Sequence, residues 1–203
     1  MIVAIDGPAG AGKSTVARAV ARALNFTYLD TGAMYRSVAL ASTRGLDDAS
    51  ALDIAFDGDR VLLDGEDVTG AIRTPEISER ASVVANDPEV REALVARQRE
   101  LIAAGDYVAE GRDIATVVAP DAPVKVFLFA SPEERARRRA AQTGHDLETE
   151  LARQGERDAR DATEGRSIHE PAPDATPVDT TGLTLDEVVA QVVTLAVEAQ
   201  ELR

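Results

Sequence analysis

The chain has no cysteine, and its only histidines are His145 and His169. The first absence excludes a disulfide framework and a thiolate metal site. Two histidines are too few for a histidine-based metal centre, and no Ser-His or Cys-His nucleophile pair can be assembled from them. Lysine is nearly missing as well: of 22 basic residues only Lys13 and Lys125 are lysine, and the rest are arginine. No apolar run approaches the length of a membrane-crossing helix. The opening MIVAIDG carries no basic leader, so no signal peptide is expected and a soluble cytoplasmic protein without a membrane partner is. A net charge of −14 argues against a nucleic-acid partner, whose binding rests on phosphate neutralisation. An Asn-Lys-x-Asp guanine-reading motif is absent, which disfavours a GTP-dependent switch. There is no internal repeat, and 203 residues suit one domain with a substantial core. A monomer is expected.

What is present begins at once. Ile2-Val3-Ala4-Ile5 reads as a buried strand, and Val16, Ala17, Val20, Ala21 and Leu24 recur at helical spacing after it. Between them Gly7, Pro8, Ala9, Gly10, Ala11, Gly12, Lys13, Ser14 and Thr15 fit the phosphate-binding pattern G-x-x-x-x-G-K-[ST]. Glycines let successive backbone N–H groups turn toward a polyphosphate. The helix starting near Lys13 adds its N-terminal dipole. Lys13 can reach terminal phosphates and Ser14 can offer a hydroxyl to Mg²⁺. In a chain this poor in lysine, the ammonium at this position is not interchangeable with a guanidinium fork.

Asn25 is a stop for the first helix, Phe26–Leu29 a second strand, and Asp30-Thr31-Gly32 the turn into a helix running to about Arg44-Gly45. Strand–helix–strand–helix opens an α/β fold with a parallel sheet, in which ligands bind at the carboxyl ends of strands. Thr31, Tyr35 and Arg36 belong to that edge. Residues 46–105 read as an insertion, with a hairpin turning at Asp64-Gly65 and helix starts at Thr74-Pro75 and Asp87-Pro88. Tyr107–Glu110 and Val124–Phe129 are strands, the former breaking at Gly111-Arg112-Asp113. Ser131-Pro132-Glu133-Glu134 combines an N-cap, a first-position proline and a reciprocal glutamate. The stretch 131–166 holds eight arginines, and the run Arg135, Arg137, Arg138, Arg139 divides between solvated helix face and anion site. Val178-Asp179 is a last short strand, and Thr184-Leu185-Asp186-Glu187 caps the final helix.

GPAGAGKST, DTGAMYR (30–36), IRTPE (72–76), EGRD (110–113), VKVFL (124–128) and ERDARD (156–161) together resemble the bacterial cytidylate kinase family, in order and over nearly the whole chain. The resemblance implies a three-layer P-loop NTPase fold with a five-stranded parallel sheet. It divides the chain into a core (about 1–45, 106–130 and 176–203), an inserted monophosphate-binding unit (about 46–105) and a helical lid (about 131–175). It implies transfer of a phosphoryl group from ATP, with Mg²⁺, to CMP or dCMP. Position by position, Thr31 and Arg36 match acceptor contacts, with Arg36 on the phosphate. Ser82, Arg91 and Asp113 match cytosine contacts, and Arg112 a second phosphate contact. Arg157 matches a lid arginine on the transferred group, and Asp161 a ribose contact. The implied catalytic set is Lys13, Arg112 and Arg157. One departure stands out: the family places arginine three residues after the position of Asp161, where this chain has Glu164, the next arginine being Arg166. Without the resemblance, the residues also admit a P-loop kinase of a hydroxyl acceptor, with Asp30 or Asp113 as base, and a nucleotide-dependent binding module.

Overall fold

The computed structural model describes residues 1–162 and 171–202, apart from the side chains of 160–162. In chain order the elements are β1 (Ile2–Asp6), α1 (Lys13–Leu24), β2 (Thr27–Asp30), α2 (Thr31–Thr43), β3 (Ile54–Asp57), β4 (Arg60–Leu63) and β5 (Glu66–Asp67). There follow α3 (Pro75–Val84), α4 (Pro88–Ile102), β6 (Tyr107–Glu110), β7 (Val124–Phe129), α5 (Pro132–Thr143), α6 (Leu147–Ala162), β8 (Thr176–Asp179) and α7 (Leu185–Glu201). A 3₁₀ turn lies at Ala71–Arg73 and a π-helical turn at Ile114–Val118.

Two compact units emerge, Met1–Leu29 with Ile102–Arg203, and Asp30–Leu101. The first is built on a five-stranded parallel sheet, flanked by helices, in the order β2-β6-β1-β7-β8. The apolar run of β1 takes the centre because both of its faces can be buried there: Val3, Ala4 and Ile5 are fully inaccessible. It pairs with β6 from Ile2↔Tyr107 to Ile5↔Glu110, and with β7 from Val3↔Val124 to Asp6↔Phe127. This register brings Asp6 and Glu110 to the same carboxyl edge. Val3, Ile5, Val126 and Leu128 share one face by strand periodicity. That face packs on Val16, Ala17, Val20 and Ala21 of α1 and on Val188, Val192 and Ala196 of α7.

Local signals set the helix ends. Asn25 closes α1 in the left-handed region at φ 56°, a conformation asparagine tolerates. Thr184 and Glu187 form a complete capping box on α7. At α5, Ser131 caps as expected, accepting from the Glu134 N–H. The reciprocal half differs from the expectation, because the Glu134 carboxylate binds Arg137 and Arg138 instead. The Ser131 N–H goes to the Thr181 hydroxyl.

In the second unit α2 packs against α3, and β3-β4-β5 form an antiparallel sheet. The Asp64-Gly65 turn has φ of 50° and 81°, the two positive values that a tight two-residue hairpin turn requires. The sequence reading missed β3, which is joined to β4 by a second two-residue turn at Gly58-Asp59. Buried Ile54, Val61, Leu63, Val68, Ile72 and Ile77 give this unit an interior. Helices α3 and α4 begin at the two Pro-marked sites, with Thr74 accepting from the Ile77 N–H and Asp87 from the Glu89 N–H.

Thr184→Ala removes the hydroxyl half of the box on α7, leaving the backbone N–H at that position on the Glu187 carboxylate, and is expected to destabilise the chain by about 1 kcal/mol. Thermal unfolding should show this as a fall of about 3 °C. An unchanged melting temperature would mean that α7 is held by its apolar face alone.

Candidate functional site

The loop between β1 and α1 is shaped by three glycines in the positive-φ region, Gly7 at 146°, Gly10 at 78° and Gly12 at 91°. Gly7 has a second reason: a Cβ there would overlap the Leu128 carbonyl of β7. Across a trans peptide the carbonyl and the next N–H point in opposite directions, so a loop that turns its N–H groups toward an anion must find partners for its carbonyls elsewhere. Here most of those partners are cations. The Gly7 oxygen accepts from Arg112 Nη1 at 2.8 Å, the Pro8 oxygen from Lys13 Nζ at 2.9 Å and the Ala9 oxygen from Arg135 Nη1 at 3.0 Å. The Ala11 oxygen accepts from the Thr180 hydroxyl at 3.2 Å and, more weakly, from Arg138 Nη1 at 3.5 Å.

Lys13 opens α1 with its side chain almost wholly buried. Burial pulls its pKa from 10.5 to about 7; Arg112 and Arg157 push the same way, and Glu110 and Asp6 oppose. Arg112 and Arg157 thus both lie within electrostatic reach of Lys13. Two buried carboxylates that the sequence reading did not nominate lie among them. Glu110 accepts from the Tyr28 hydroxyl at 2.7 Å. Asp6 accepts from the backbone N–H groups of Ile114 and Ala115 at 2.9 and 2.8 Å, and so anchors the π-helical turn that follows Asp113. Both are the last residues of adjacent parallel strands, and that strand-end position was the available signal. Asp113 is itself buried beside this turn. Ser14 is exposed in the first turn of α1, next to Thr15.

Thr31, Arg36, Ser82 and Arg91 lie in the unit Asp30–Leu101. Asp30 caps α2, accepting from the Ala33 N–H with one oxygen and from Arg36 Nη2 at 2.9 Å with the other. This fixes the guanidinium against the helix start, beside Gly32, while its Nε is buried without a partner. Thr31 is buried in the first turn of α2. Ser82 is buried on α3, where its hydroxyl donates to the Glu79 carbonyl, and Arg91 is half-buried on α4. Asp161 belongs to the last turn of α6, but its side chain lies outside the description; Glu164, Arg166 and His169 lie outside the described residues altogether. The arginine run of α5 divides: Arg137 is exposed, whereas Arg135 is buried.

No group of three or more His, Asp or Glu able to hold a metal occurs among the described residues, and no described helix is long and apolar enough to cross a membrane.

A family model described as cytidylate kinase matches residues 3–198. Cytidylate kinase of Desulforamulus reducens is 48% identical over 210 residues, covering 95% of each chain. That of Carboxydothermus hydrogenoformans is 49% identical, covering 94% of this chain and 95% of its own. That of Pasteurella multocida is 45% identical, covering 94% and 92%. Among solved structures, a gluconokinase from Sinorhizobium meliloti superposes with a TM-score of 0.55 at 19% identity, covering 98% of this chain and 94% of its own. Shikimate kinase from Bacteroides thetaiotaomicron gives 0.52 at 14%, covering 99% and 98%. At such identities these two show the fold alone.

Burial raises the Asp6 pKa from 3.8 to about 6, against the lowering effect of its two backbone N–H bonds. Between those values the folded chain holds a proton there that the unfolded chain has lost. Stability from this group is therefore highest below pH 4 and declines as pH rises to about 6, by on the order of 3 kcal/mol. Carboxyl ¹³C titration should give Asp6 a midpoint near 6, and Asp6→Asn should abolish that slope in urea unfolding. A midpoint near 4 would refute the assignment.

Proposed function

The chain belongs to the cytidylate kinase family, and we propose that it transfers the γ-phosphoryl group of ATP to CMP or dCMP, giving ADP and CDP or dCDP. The observation that carries the substrate reading is the family match over residues 3–198, with relatives of that name 45–49% identical over nearly the whole chain. The loop geometry supports a polyphosphate donor: positive-φ glycines, carbonyls bonded to cations, and a buried lysine at the helix start.

The acceptor phosphate has its second pKa near ~6, so it arrives at neutral pH as an ionised nucleophile and needs no base. The task is to hold two polyanions in line and neutralise the charge that spreads over the transferred group. Residues Gly7 to Thr15 cradle the donor phosphates, and Lys13 spans its terminal ones. Arg36 and Arg112 hold the acceptor phosphate, and guanidinium forks suit it because they bind two oxygens at once. Thr31, Ser82, Arg91 and Asp113 fix the acceptor nucleoside, Asp161 its ribose, and Arg157 meets the transferred group. We assign the insertion at 46–105 to monophosphate binding and 131–175 to a lid that closes to exclude water.

Mg²⁺ fits the donor set. The exposed Ser14 hydroxyl would supply one oxygen ligand, and phosphates and water would supply the rest, as magnesium prefers. When bound, the ion would supply positive charge to neutralise the phosphates.

Release of ADP from ATP, with CMP, dCMP, UMP, AMP and shikimate offered separately, tests the reading. Turnover with CMP and dCMP and little with AMP is expected; turnover with shikimate alone would overturn it in favour of a hydroxyl acceptor. Lys13→Ala should lower kcat by about a hundredfold or more. Arg36→Ala should raise KM for CMP by about tenfold or more while leaving KM for ATP nearly unchanged. Equal effects on both substrates would remove Arg36 from the acceptor contacts.

A further inference from the structure

Arg135 has no part in the mechanism above, yet it is the most deeply buried arginine of α5. Its Nη1 donates to the Ala9 carbonyl at 3.0 Å, and its Nη2 meets Asp158 Oδ2 of α6 at 2.8 Å, with both side chains nearly inaccessible. Its Cβ lies so close to Gly10 that a side chain there would be pressed at 3.0 Å, and Gln154 of α6 closes the same gap at 3.3 Å. One guanidinium thus joins three segments: the loop, α5 and α6.

As a source of stability this cluster is poor. Arg135 Nε, Gln154 Oε1 and Asp158 Oδ1 are all buried without partners, and a buried ion pair left partly unsatisfied is no better than an apolar contact of the same size. What the cluster supplies is direction. A carbonyl held at Ala9 fixes the Ala9–Gly10 peptide plane and turns the Gly10 N–H to the opposite side. Gly10 sits at φ 78°, where glycine offers the backbone little resistance to rotation of that plane. The orientation therefore depends on the tether.

We propose that Arg135 is a positioning residue for the donor polyphosphate: it sets the Ala9–Gly10 peptide so that the Gly10 N–H faces the phosphates, and Asp158 aims it from α6. The inference rests on the reading of this loop as the ATP site. It makes the placement of α6 a determinant of loop geometry. A lysine cannot substitute, because a single ammonium lacks the planar fork that reaches a carbonyl and a carboxylate in fixed directions.

The test is calorimetric binding of ATP, and separately of CMP, to the full chain, with kinetics alongside. In the double variant Arg135→Met/Asp158→Leu no buried charge is left alone, so it should fold with a melting temperature close to that of the parent. Its Kd and KM for ATP should rise by about tenfold or more, with those for CMP within about twofold. Arg135→Lys should show the same split at smaller size. A folded double variant that binds ATP as the parent does, or equal weakening for both nucleotides, would overturn the proposal and leave a structural tether. If the double variant does not fold, Arg135→Lys decides, and parental ATP affinity in it would overturn the proposal. A parent that binds ATP but does not phosphorylate CMP would sink the assigned reaction, while the ATP comparison would still judge Arg135. A parent that binds no ATP would sink both.

Discussion

A backbone that aims its N–H groups at an anion must dispose of its carbonyls, and the first unit is arranged around that obligation. Between Gly7 and Ala11 four carbonyl oxygens are each met by a side chain: Arg112 from the end of β6, Lys13 from α1, Arg135 from α5, and Thr180 with Arg138 after β8 and on α5. Such charge-assisted bonds are stronger than those between neutral groups. They also bring cations close to the place where phosphate charge is to be received. The same contacts that hold the loop open therefore raise its affinity for a polyanion.

That concentration of positive charge sits in a chain whose overall charge is −14. Near Lys13 the balance is local: Arg112 and Arg157 on one side, Glu110 and Asp6 on the other. The carboxylates are not idle counter-ions. Glu110 is held by the Tyr28 hydroxyl and Asp6 by the backbone N–H groups of the turn at Ile114–Val118, so each is fixed in place. Polyanion chemistry in an acidic protein demands this kind of partition, with attraction kept within a few ångströms and repulsion spread over the exterior.

Much of the fold was legible because its signals are local. The glycine-lysine loop, the apolar strand before it, the Asp64-Gly65 turn, the caps at Thr74, Asp87 and Thr184 and the αL stop at Asn25 all depend on a few neighbouring residues. What escaped depends on distant partners. β3 is short and is defined by pairing with β4 rather than by its own alternation. Glu134 has the right spacing for a box but finds two arginines closer than the Ser131 N–H. Nothing in the run Arg135 to Arg139 says that the first is buried and Arg137 exposed; only the packing of α6 and the loop decides it. Asp6 and Glu110 read as ordinary strand ends until the register sets them side by side. The proposed acceptor contacts came from a motif resemblance; that Thr31, Arg36, Ser82 and Arg91 fall in one unit was not legible from their scattered positions.

The distribution of amines has a consequence for covalent chemistry. The chain has two lysines: one is buried in the loop, and the other, Lys125 in β7, is sheltered and paired with Asp174. Every other basic side chain is a guanidinium, which common acylating agents do not attack. Reagents that acetylate, crosslink or immobilise proteins through lysine therefore find no exposed ε-amine. Where such a reagent does reach Lys13, the modification reports on access to the phosphate loop.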